Sequence, residues 1–317
     1  MLDCGRDGLK RMKLRTRHLL CTFGVWAICS VPVASQELVP RAYWPAPKGT
    51  KILSVGYAYT DGDVLVDPST PVKDAENETH SGSLGYYQAF GLAGRSATIS
   101  AILPAAAARI RADTGAEVVS GTVSGLSDLR VRLGVNLLGA PAMTPAEFRE
   151  FLQDPPRNLF GVSLQVQVPT GEYNNDRVAN VGTSRWSLKP EIGYIRRLGE
   201  TGSWAAEASL GVWLYDDNDN FLGLRLEQEP MLGAEFHLVH LLPKARWFSV
   251  DLNYYAGGRT RLDDVRTDDR QENSRIGATL AFPAGRHVFK VGVSDSLRIE
   301  DGGDYRAVLL GWAYIWD

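Results

Sequence analysis

The sequence predicts an all-β protein, built as a single antiparallel transmembrane β-barrel of about twelve strands. Three features support this fold class: an N-terminal export signal, period-two alternation over strands of about ten residues, and connections that alternate between short turns and long polar loops. The bulk composition alone does not show it, since the 317 residues are 44% hydrophobic and 22% charged, with a mean hydropathy of −0.16. These values exclude a multi-span helical membrane protein and a disordered chain.

The first 35 residues have the pattern of a cleaved secretory signal peptide. Five basic residues between Lys10 and Arg17 precede an apolar stretch from Leu19 to Val33, and small residues stand before Gln36. All three cysteines lie in this segment, so the exported chain has no disulfide, thiol nucleophile or zinc–thiolate site. An uncleaved membrane anchor is the alternative, although the apolar stretch is shorter than a spanning helix.

The predicted mature chain, 36–317, is acidic. The signal holds six basic and two acidic residues, which leaves 28 basic and 35 acidic residues and a formal charge of −7. This balance argues against a nucleic-acid partner. The sequence further predicts that 36–50 is a periplasmic lead-in. It also predicts a short periplasmic helix within 139–157, because Thr144 and Glu147 have the spacing of a capping box.

Alternation defines the strands. Between Phe160 and Val168 every second residue is apolar, and the residues between them are Gly, Ser and Gln. The same pattern recurs in segments beginning at Leu129, Trp204, Phe248 and Val308. Strands are predicted to start near residues 51, 83, 96, 128, 158, 184, 203, 229, 246, 274, 287 and 305, with long loops at 61–82, 111–126, 169–182, 216–226 and 258–272. The even count places both termini on the periplasmic side. A secreted soluble sandwich or barrel is the alternative, but its many apolar strand faces would need a cover.

The polar strand faces carry charges that a barrel would direct into its lumen. These residues are Arg130, Arg132, Arg185, Lys189, Glu191, Glu207, Glu235, His237, Asp251, Arg275 and Lys290. Buried charges need partners, so opposite signs are expected to pair. Two interpretations stay open: the charges line or gate a narrow pore, or they form a network that fills and stabilises a closed barrel.

The sequence predicts no catalytic residue, metal site or cofactor. A hydrolase would need a nucleophile within hydrogen-bond reach of a histidine, and none of the four histidines in the mature chain belongs to such a motif. The run 216–227 has acidic residues at calcium-loop spacings, but Phe221 stands where that loop requires glycine. A channel is therefore favoured over a non-conducting structural barrel and over an outer-membrane hydrolase.

Seven runs in fixed order carry a family resemblance. They are SGLSDLRVRLGVNLLGAPAMTPAEF (124–148), VQVPTGEY (166–173), NVGTSRWSLKPEIGY (180–194), DDNDNFLG (216–223), EQEP (227–230), YYAGGRTRLDDV (254–265) and SRIGATLAFP (274–283). Together they resemble the outer-membrane protein family of the meta-pathway of phenol degradation. That family usually has Gly-Leu-Gly-Asp where this chain has Gly-Leu-Ser-Asp at 125–128. The resemblance implies a β-barrel for passive uptake of small hydrophobic or aromatic compounds.

The last predicted strand also indicates the membrane in which the protein is inserted. It alternates Trp312, Tyr314 and Trp316, which resembles the C-terminal signal that bacterial barrels present to their assembly machinery, although Asp317 follows the final aromatic residue. Together with the export signal, this predicts a protein of the Gram-negative outer membrane. Its expected partners are membrane lipid, lipopolysaccharide, the barrel assembly machinery and small solutes.

Overall fold

A computed structural model describes residues 40–62, 75–113, 118–200, 202–301 and 304–316. The predicted signal peptide lies outside the described residues. The elements are β1 (Lys51–Gly62), β2 (Ala75–Leu92), β3 (Arg95–Asp113), β4 (Val118–Leu126), β5 (Leu129–Leu138), α1 (Pro145–Phe151), β6 (Asn158–Val168), β7 (Ser187–Leu198), β8 (Trp204–Tyr215), β9 (Asn218–Phe221), β10 (Leu224–Gln228), β11 (Met231–Leu241), β12 (Trp247–Gly257), β13 (Thr260–Leu262), β14 (Val265–Arg266), β15 (Gln271–Ala284), β16 (His287–Asp301) and β17 (Tyr305–Trp316).

Twelve antiparallel strands close into a barrel because the first strand pairs with both the second and the last. β1 pairs with β17 from Lys51 opposite Trp316 to Gly62 opposite Tyr305, and with β2 over the same length. The order around the barrel is β1, β2, β3, β4 with β5, β6, β7, β8, β11, β12, β15, β16 and β17. β4 and β5 lie end to end along β3 and together form one strand. The predicted fold class is therefore confirmed.

The two faces of the strands differ as the alternation predicts. On β6, Leu164 is 44% exposed, whereas its neighbours Ser163 and Gln165 are 8% and 7% exposed. Exposed Leu, Val, Ile and aromatic side chains recur in the same way around the barrel. The apolar side thus faces outward, and a closed barrel leaves no free sheet edge, which is the arrangement that a lipid bilayer requires.

Outward-facing aromatic rings gather at the barrel end that carries the short connections, called here the short-turn end. Trp204 packs edge-on against Phe248 with ring centroids 5.9 Å apart, and Phe282 stacks on Phe289 at 5.6 Å. Tyr314 and Trp316 of β17 stack at 6.0 Å in the same way. Such rings favour the boundary between lipid and water. Separately, no helix among the described residues is long and apolar enough to cross a bilayer.

Some predicted boundaries are wrong at the opposite end, called here the long-loop end. β2 begins at Ala75 rather than near residue 83, and β4 occupies part of the predicted loop 111–126. The added strand residues 75–82 (AENETHSG) are mostly polar or small on both faces, and 118–126 (VVSGTVSGL) does not alternate regularly, so hydropathy gives little strand signal there. β9, β10, β13 and β14 form a second, four-stranded sheet inside the predicted loops.

The acidic run considered for calcium faces arginine in this second sheet. The Arg225 guanidinium forms an ion pair with Asp217 and lies 3.6 Å from a carboxylate oxygen of Glu227 and 3.7 Å from one of Asp219. Arg261 contacts Glu227 as well, at 3.1 Å. Within the described ranges, no group of three or more His, Cys, Asp or Glu side chains is arranged to hold a metal ion.

The helix within 139–157 is α1, at the short-turn end. Thr144 Oγ1 accepts a hydrogen bond from the Glu147 backbone N–H at 3.3 Å, and a Glu147 carboxylate oxygen accepts one from the Thr144 N–H at 2.7 Å. The hydrogen bond from the Thr144 N–H is the main cause that lowers the pKa of Glu147 below its ordinary value, and the bond from the Thr144 hydroxyl lowers it further. Phe148 is the buried residue of α1, and its ring stacks on the ring of Phe151.

Candidate functional site

The residues before β1 fold back into the barrel. The Arg41 backbone N–H donates to Glu207 Oε2 on β8 at 2.6 Å. The Tyr43 hydroxyl donates to Glu191 Oε1 on β7 at 2.7 Å and lies 3.0 Å from Ser163 Oγ on β6. These partners belong to the strands opposite β1 in the sheet order, so the segment crosses the lumen.

Two glycines make room for this segment. A Cβ on Gly193 would approach the Tyr43 ring to 2.0 Å, and one on Gly161 would approach it to 2.5 Å. The absence of side chains at both positions lets the ring lie flat against the barrel wall. The segment 40–50, called here the plug, belongs to the predicted periplasmic lead-in 36–50, yet it lies inside the barrel.

An apolar cluster surrounds the plug at the short-turn end. Its members are Tyr43, Trp44, Ala46, Ile52, Tyr87, Ala89, Ala140, Leu159, Ile195, Ala205, Val239, Trp247, Ala281, Val288, Ala313 and Ile315. Ten of the twelve barrel strands contribute to it, and every member is at most 8% exposed. Because side chains from nearly the whole circumference of the barrel meet in this cluster, it fills the barrel's cross-section. This floor cluster therefore closes the lumen at the short-turn end.

Buried charges form a chain along the adjoining wall. Arg132 Nη2 lies 3.2 Å from Glu191 Oε1, and Lys189 Nζ lies 2.8 Å from Glu191 Oε2. Lys189 also reaches Glu235 Oε1 on β11 at 3.4 Å, crossing over β8. Gly211 of β8 allows this crossing, because a Cβ there would lie 2.9 Å from Lys189 Cε. The chain therefore depends on a missing side chain as well as on charge.

The chain continues through a histidine. His237 Nε2 lies 3.5 Å from Glu235 Oε2, and His237 Nδ1 lies 2.8 Å from Asp251 Oδ1. Asp251 Oδ2 accepts a further hydrogen bond from the Thr279 hydroxyl at 2.9 Å. Both ring nitrogens of His237 thus face carboxylates, whereas a hydrolase would direct one of them at a nucleophile. The charge ladder is defined as Arg132, Glu191, Lys189, Glu235, His237 and Asp251.

Four of the other five predicted residues lie on inward strand faces, and Arg185 lies in the connection just before β7. Glu207 receives the plug, and Arg130 borders the cavity described next. Lys290 Nζ lies 5.4 Å from the centre of the Trp247 ring, next to the floor cluster. Arg185 and Arg275 lie towards the long-loop end and are buried. The structure thus brings six of the eleven predicted residues into the ladder and distributes the rest along the interior.

A cavity separates the charge ladder from the opposite wall. Its volume is about 90 Å³, and it is partly open to solvent. Arg132, Lys189 and Glu191 line one side together with Tyr43. The side formed by β1, β2 and β3 is neutral and includes the small residues Ser54, Gly85, Thr98 and Ser100. This cavity is called here the chamber.

The long connection between β6 and β7 lies at the long-loop end, and a single buried carboxylate accepts several of its hydrogen bonds. Asp128, 1% exposed, stands where β4 ends and β5 begins. Its oxygens accept hydrogen bonds from Gly171 N at 2.8 Å, Thr183 N at 2.9 Å, Thr183 Oγ1 at 2.6 Å and Gln167 Nε2 at 3.1 Å. The connection, residues 169–186, is called here the mouth loop.

The mouth loop also contacts the wall on both sides. Val181, 2% exposed, packs on Ala108 of β3 and Val123 of β4. On its other side it contacts the second sheet, where the Asn218 side-chain amide of β9 donates to the Tyr173 hydroxyl at 2.7 Å. The loop is therefore fixed between the barrel wall at β3 and β4 and the second sheet. Sequence reasoning missed Asp128 because it only marked this position as the start of a strand; a lone acid directly before an alternating strand was the available signal.

Replacing Asp128 with alanine is expected to release the mouth loop. Hydrogen bonds to a charged acceptor contribute about 1.5–3 kcal/mol each, and about 1.4 kcal/mol is a factor of ten in an equilibrium. Trypsin cleavage after the exposed Arg177 should accelerate at least about tenfold if two such bonds are lost. Asp176→Ala, an exposed substitution in the same loop, is the control. Equal cleavage of the two variants would contradict the assigned role.

The fold and the site together define an integral outer-membrane β-barrel of the channel type, with an apolar outer surface in contact with lipid and a polar chamber inside. Residues 60–313 match the family described as "Putative MetA-pathway of phenol degradation". That match covers most of the chain, and the protein belongs to this family.

The chain is similar in fold to an outer membrane channel from Pseudomonas putida F1, which is 23% identical, with a TM-score of 0.74 over 88% of this chain and 100% of that chain. At this identity the likeness concerns the fold alone. A weaker match is the beta domain of the Bordetella autotransporter BrkA, 10% identical, with a TM-score of 0.49 over 84% of this chain and 98% of that one. No protein of curated function matches the chain.

Proposed function

We propose that this protein is a passive outer-membrane channel for small organic molecules, and that hydrophobic or aromatic compounds are among its solutes. The observation that carries the proposal is the chamber, which lies inside a closed barrel beside the charge ladder. A barrel that served only as a structural element would be expected to fill this space with side chains.

The chamber lining supports solutes that combine an apolar body with polar substituents. Ile52, Ile102 and Ala208 provide apolar contact, and the Tyr43 ring is available beside them. The hydroxyls of Ser54, Thr98, Ser100 and Ser163 supply hydrogen-bonding groups along the same cavity. Pockets of this mixed kind bind small organic molecules. The charge ladder holds the wall behind them in a fixed arrangement.

The non-conducting barrel remains the second candidate, and the floor cluster is the observation that favours it. An apolar seal and a paired charge ladder are what a permanently filled barrel would show. The two functions differ in whether the plug can leave. We further propose that lipopolysaccharide and the barrel assembly machinery are partners, on the basis of the long-loop arginines and the aromatic end of β17.

Liposome swelling tests the channel directly. Vesicles carrying the purified protein are placed in iso-osmotic arabinose, sodium gluconate or sodium benzoate, and vesicles carrying heat-denatured protein serve as the control. We expect swelling with the native protein or with a variant that lacks residues 40–47. Faster entry of benzoate than of both arabinose, a neutral solute of about the same size, and the larger gluconate supports the aromatic preference, and equal entry removes it. The absence of swelling with every solute and both proteins overturns the channel in favour of the structural barrel.

A further inference from the structure

The charges inside the barrel are unequal in number. On the plug, the strands and their junctions, the inward cations are Arg41, Arg130, Arg132, Arg185, Lys189, Arg275 and Lys290, and the inward acids are Asp128, Glu191, Glu207, Glu235 and Asp251. Seven cations thus stand against five carboxylates in the described chain, before any charge on His237 is counted. The predicted mature chain is acidic as a whole, so the interior and the outside differ in sign.

The carboxylates are already occupied by neighbours deep in the barrel. Glu191 and Glu235 flank Lys189, and Asp251 faces His237. The Asp128 carboxylate accepts hydrogen bonds from backbone N–H groups of the mouth loop. None of these contacts involves the two arginines nearest the long loops.

Arg185, the first of these arginines, is held by neutral groups. It is 2% exposed and lies two residues before β7 begins at the long-loop end. Its Nη2 donates to the side-chain carbonyl of Gln228, and its guanidinium carbon lies 4.9 Å from the centre of the Tyr215 ring. Gln228 in turn donates to the Gly258 carbonyl at 2.9 Å, which fixes the acceptor in place.

Arg275 is held in the same manner. It is 1% exposed and is the fifth residue of β15, counted from the long-loop end. Its two terminal nitrogens donate to Ser296 Oγ at 3.1 Å and Ser294 Oγ at 3.0 Å, and its guanidinium carbon lies 3.4 Å from the centre of the Tyr305 ring. The nearby Asp295 forms an ion pair with Arg306 at 3.5 Å. Within the described chain, neither Arg185 nor Arg275 forms an ion pair with a carboxylate.

We propose that Arg185 and Arg275 make this channel anion-selective and that its solutes are small organic carboxylates. Burying a cation without a counter-ion is costly, and low-dielectric walls focus its field into the lumen. A guanidinium also matches a carboxylate geometrically, because its N–H groups can bind both oxygens. Both arginines lie nearer the long-loop end than the charge ladder does, so their field acts first on a solute that enters from that end. The inference rests on the proposed channel function and names its substrate class.

Planar bilayers test the inference through ion selectivity. The reversal potential of the wild-type protein is measured across a KCl gradient and again with potassium benzoate as the salt. We expect chloride and benzoate to be more permeant than potassium. In the double variant Arg185→Gln and Arg275→Gln, the anion-to-cation permeability ratio should fall several-fold. The matched control is Arg266→Gln with Arg270→Gln, which removes the same charge from exposed positions outside the barrel.

The outcomes separate this inference from the channel itself. Conduction with a preference for potassium overturns anion selectivity and leaves the channel standing, whereas the absence of conduction in the wild type and in the variant lacking residues 40–47 overturns the channel. A double variant that changes the ratio no more than the control overturns the assignment to these arginines. If the glutamine variant does not fold, Arg275→Lys and Arg185→Gln are tested singly. The ratio should be kept by the first, which preserves the charge, and lowered by the second; any other pattern counts against the proposal.

Discussion

Removing residues 40–47 is expected to raise the single-channel conductance several-fold while the barrel stays folded. The plug contributes Tyr43, Trp44 and Ala46 to the floor cluster, and without them the inward residues of the ten contributing strands no longer meet. The barrel itself should persist because its strand pairing is continuous from β1 to β17 without the plug. Conductance in planar bilayers measures the opening, and heat-modifiable migration on gels measures the fold.

A single substitution on the wall should have the same effect as the deletion, to a smaller extent. In Gly193→Ala the new Cβ would lie 2.0 Å from the Tyr43 ring, so the ring must leave and lose its bonds to Glu191 and Ser163. Lys48→Ala, at an exposed position of the plug, is the matched control. A conductance unchanged in both the deletion and Gly193→Ala would show that the plug does not close the pathway.

Lys189→Met is expected to destabilise the folded barrel by about 3–5 kcal/mol, the cost typical of removing one partner of a buried ion pair. The Lys189 side chain is 5% exposed and lies between Glu191 and Glu235, so its loss leaves two carboxylates in the interior with less compensation. Guanidinium-induced unfolding in detergent micelles, followed by tryptophan fluorescence, measures the change in the free energy of unfolding.

A compensating variant distinguishes charge from packing in this experiment. Adding Glu235→Gln to Lys189→Met removes one of the stranded carboxylates, and we expect part of the lost stability to return. Glu227→Gln, on the exposed second sheet, serves as the matched control for the added substitution. A loss below about 1 kcal/mol for Lys189→Met, the range of surface pairs, would mean that the ladder is hydrated and contributes little to stability.

Alternation in the sequence predicted the barrel because each spanning strand has one lipid face and one lumen face. β6, which carries alternating Val, Leu and Gln residues, was predicted to start at 158 and does so. The same reasoning failed where neither face is strongly apolar, as along 75–82 of β2, because polar and small residues suit either side. Strands could therefore be predicted wherever one face contacts lipid and the other faces the lumen. They could not be predicted where the sheet extends beyond the lipid.

The sequence also predicted which charged residues point inward, but not their partners. Lys189 contacts Glu235 across an intervening strand, which depends on register and on the bare backbone at Gly211. Nothing in the local pattern of residues 40–50 indicated an interior position, since the segment has no strand or helix periodicity. Its place is determined by contacts with residues more than a hundred positions away in the chain, which local reasoning cannot supply.

Those long separations order the events of folding. The plug residues Arg41 and Tyr43 are among the first described residues of the chain, yet their partners Glu207 and Glu191 follow 166 and 148 positions later. Contacts of such high contact order form late, because the intervening chain must first be brought into register. The plug therefore docks only after the wall from β6 to β8 exists. Until then the N-terminal end stays accessible to proteases, which gives the cell a means of removing half-assembled copies.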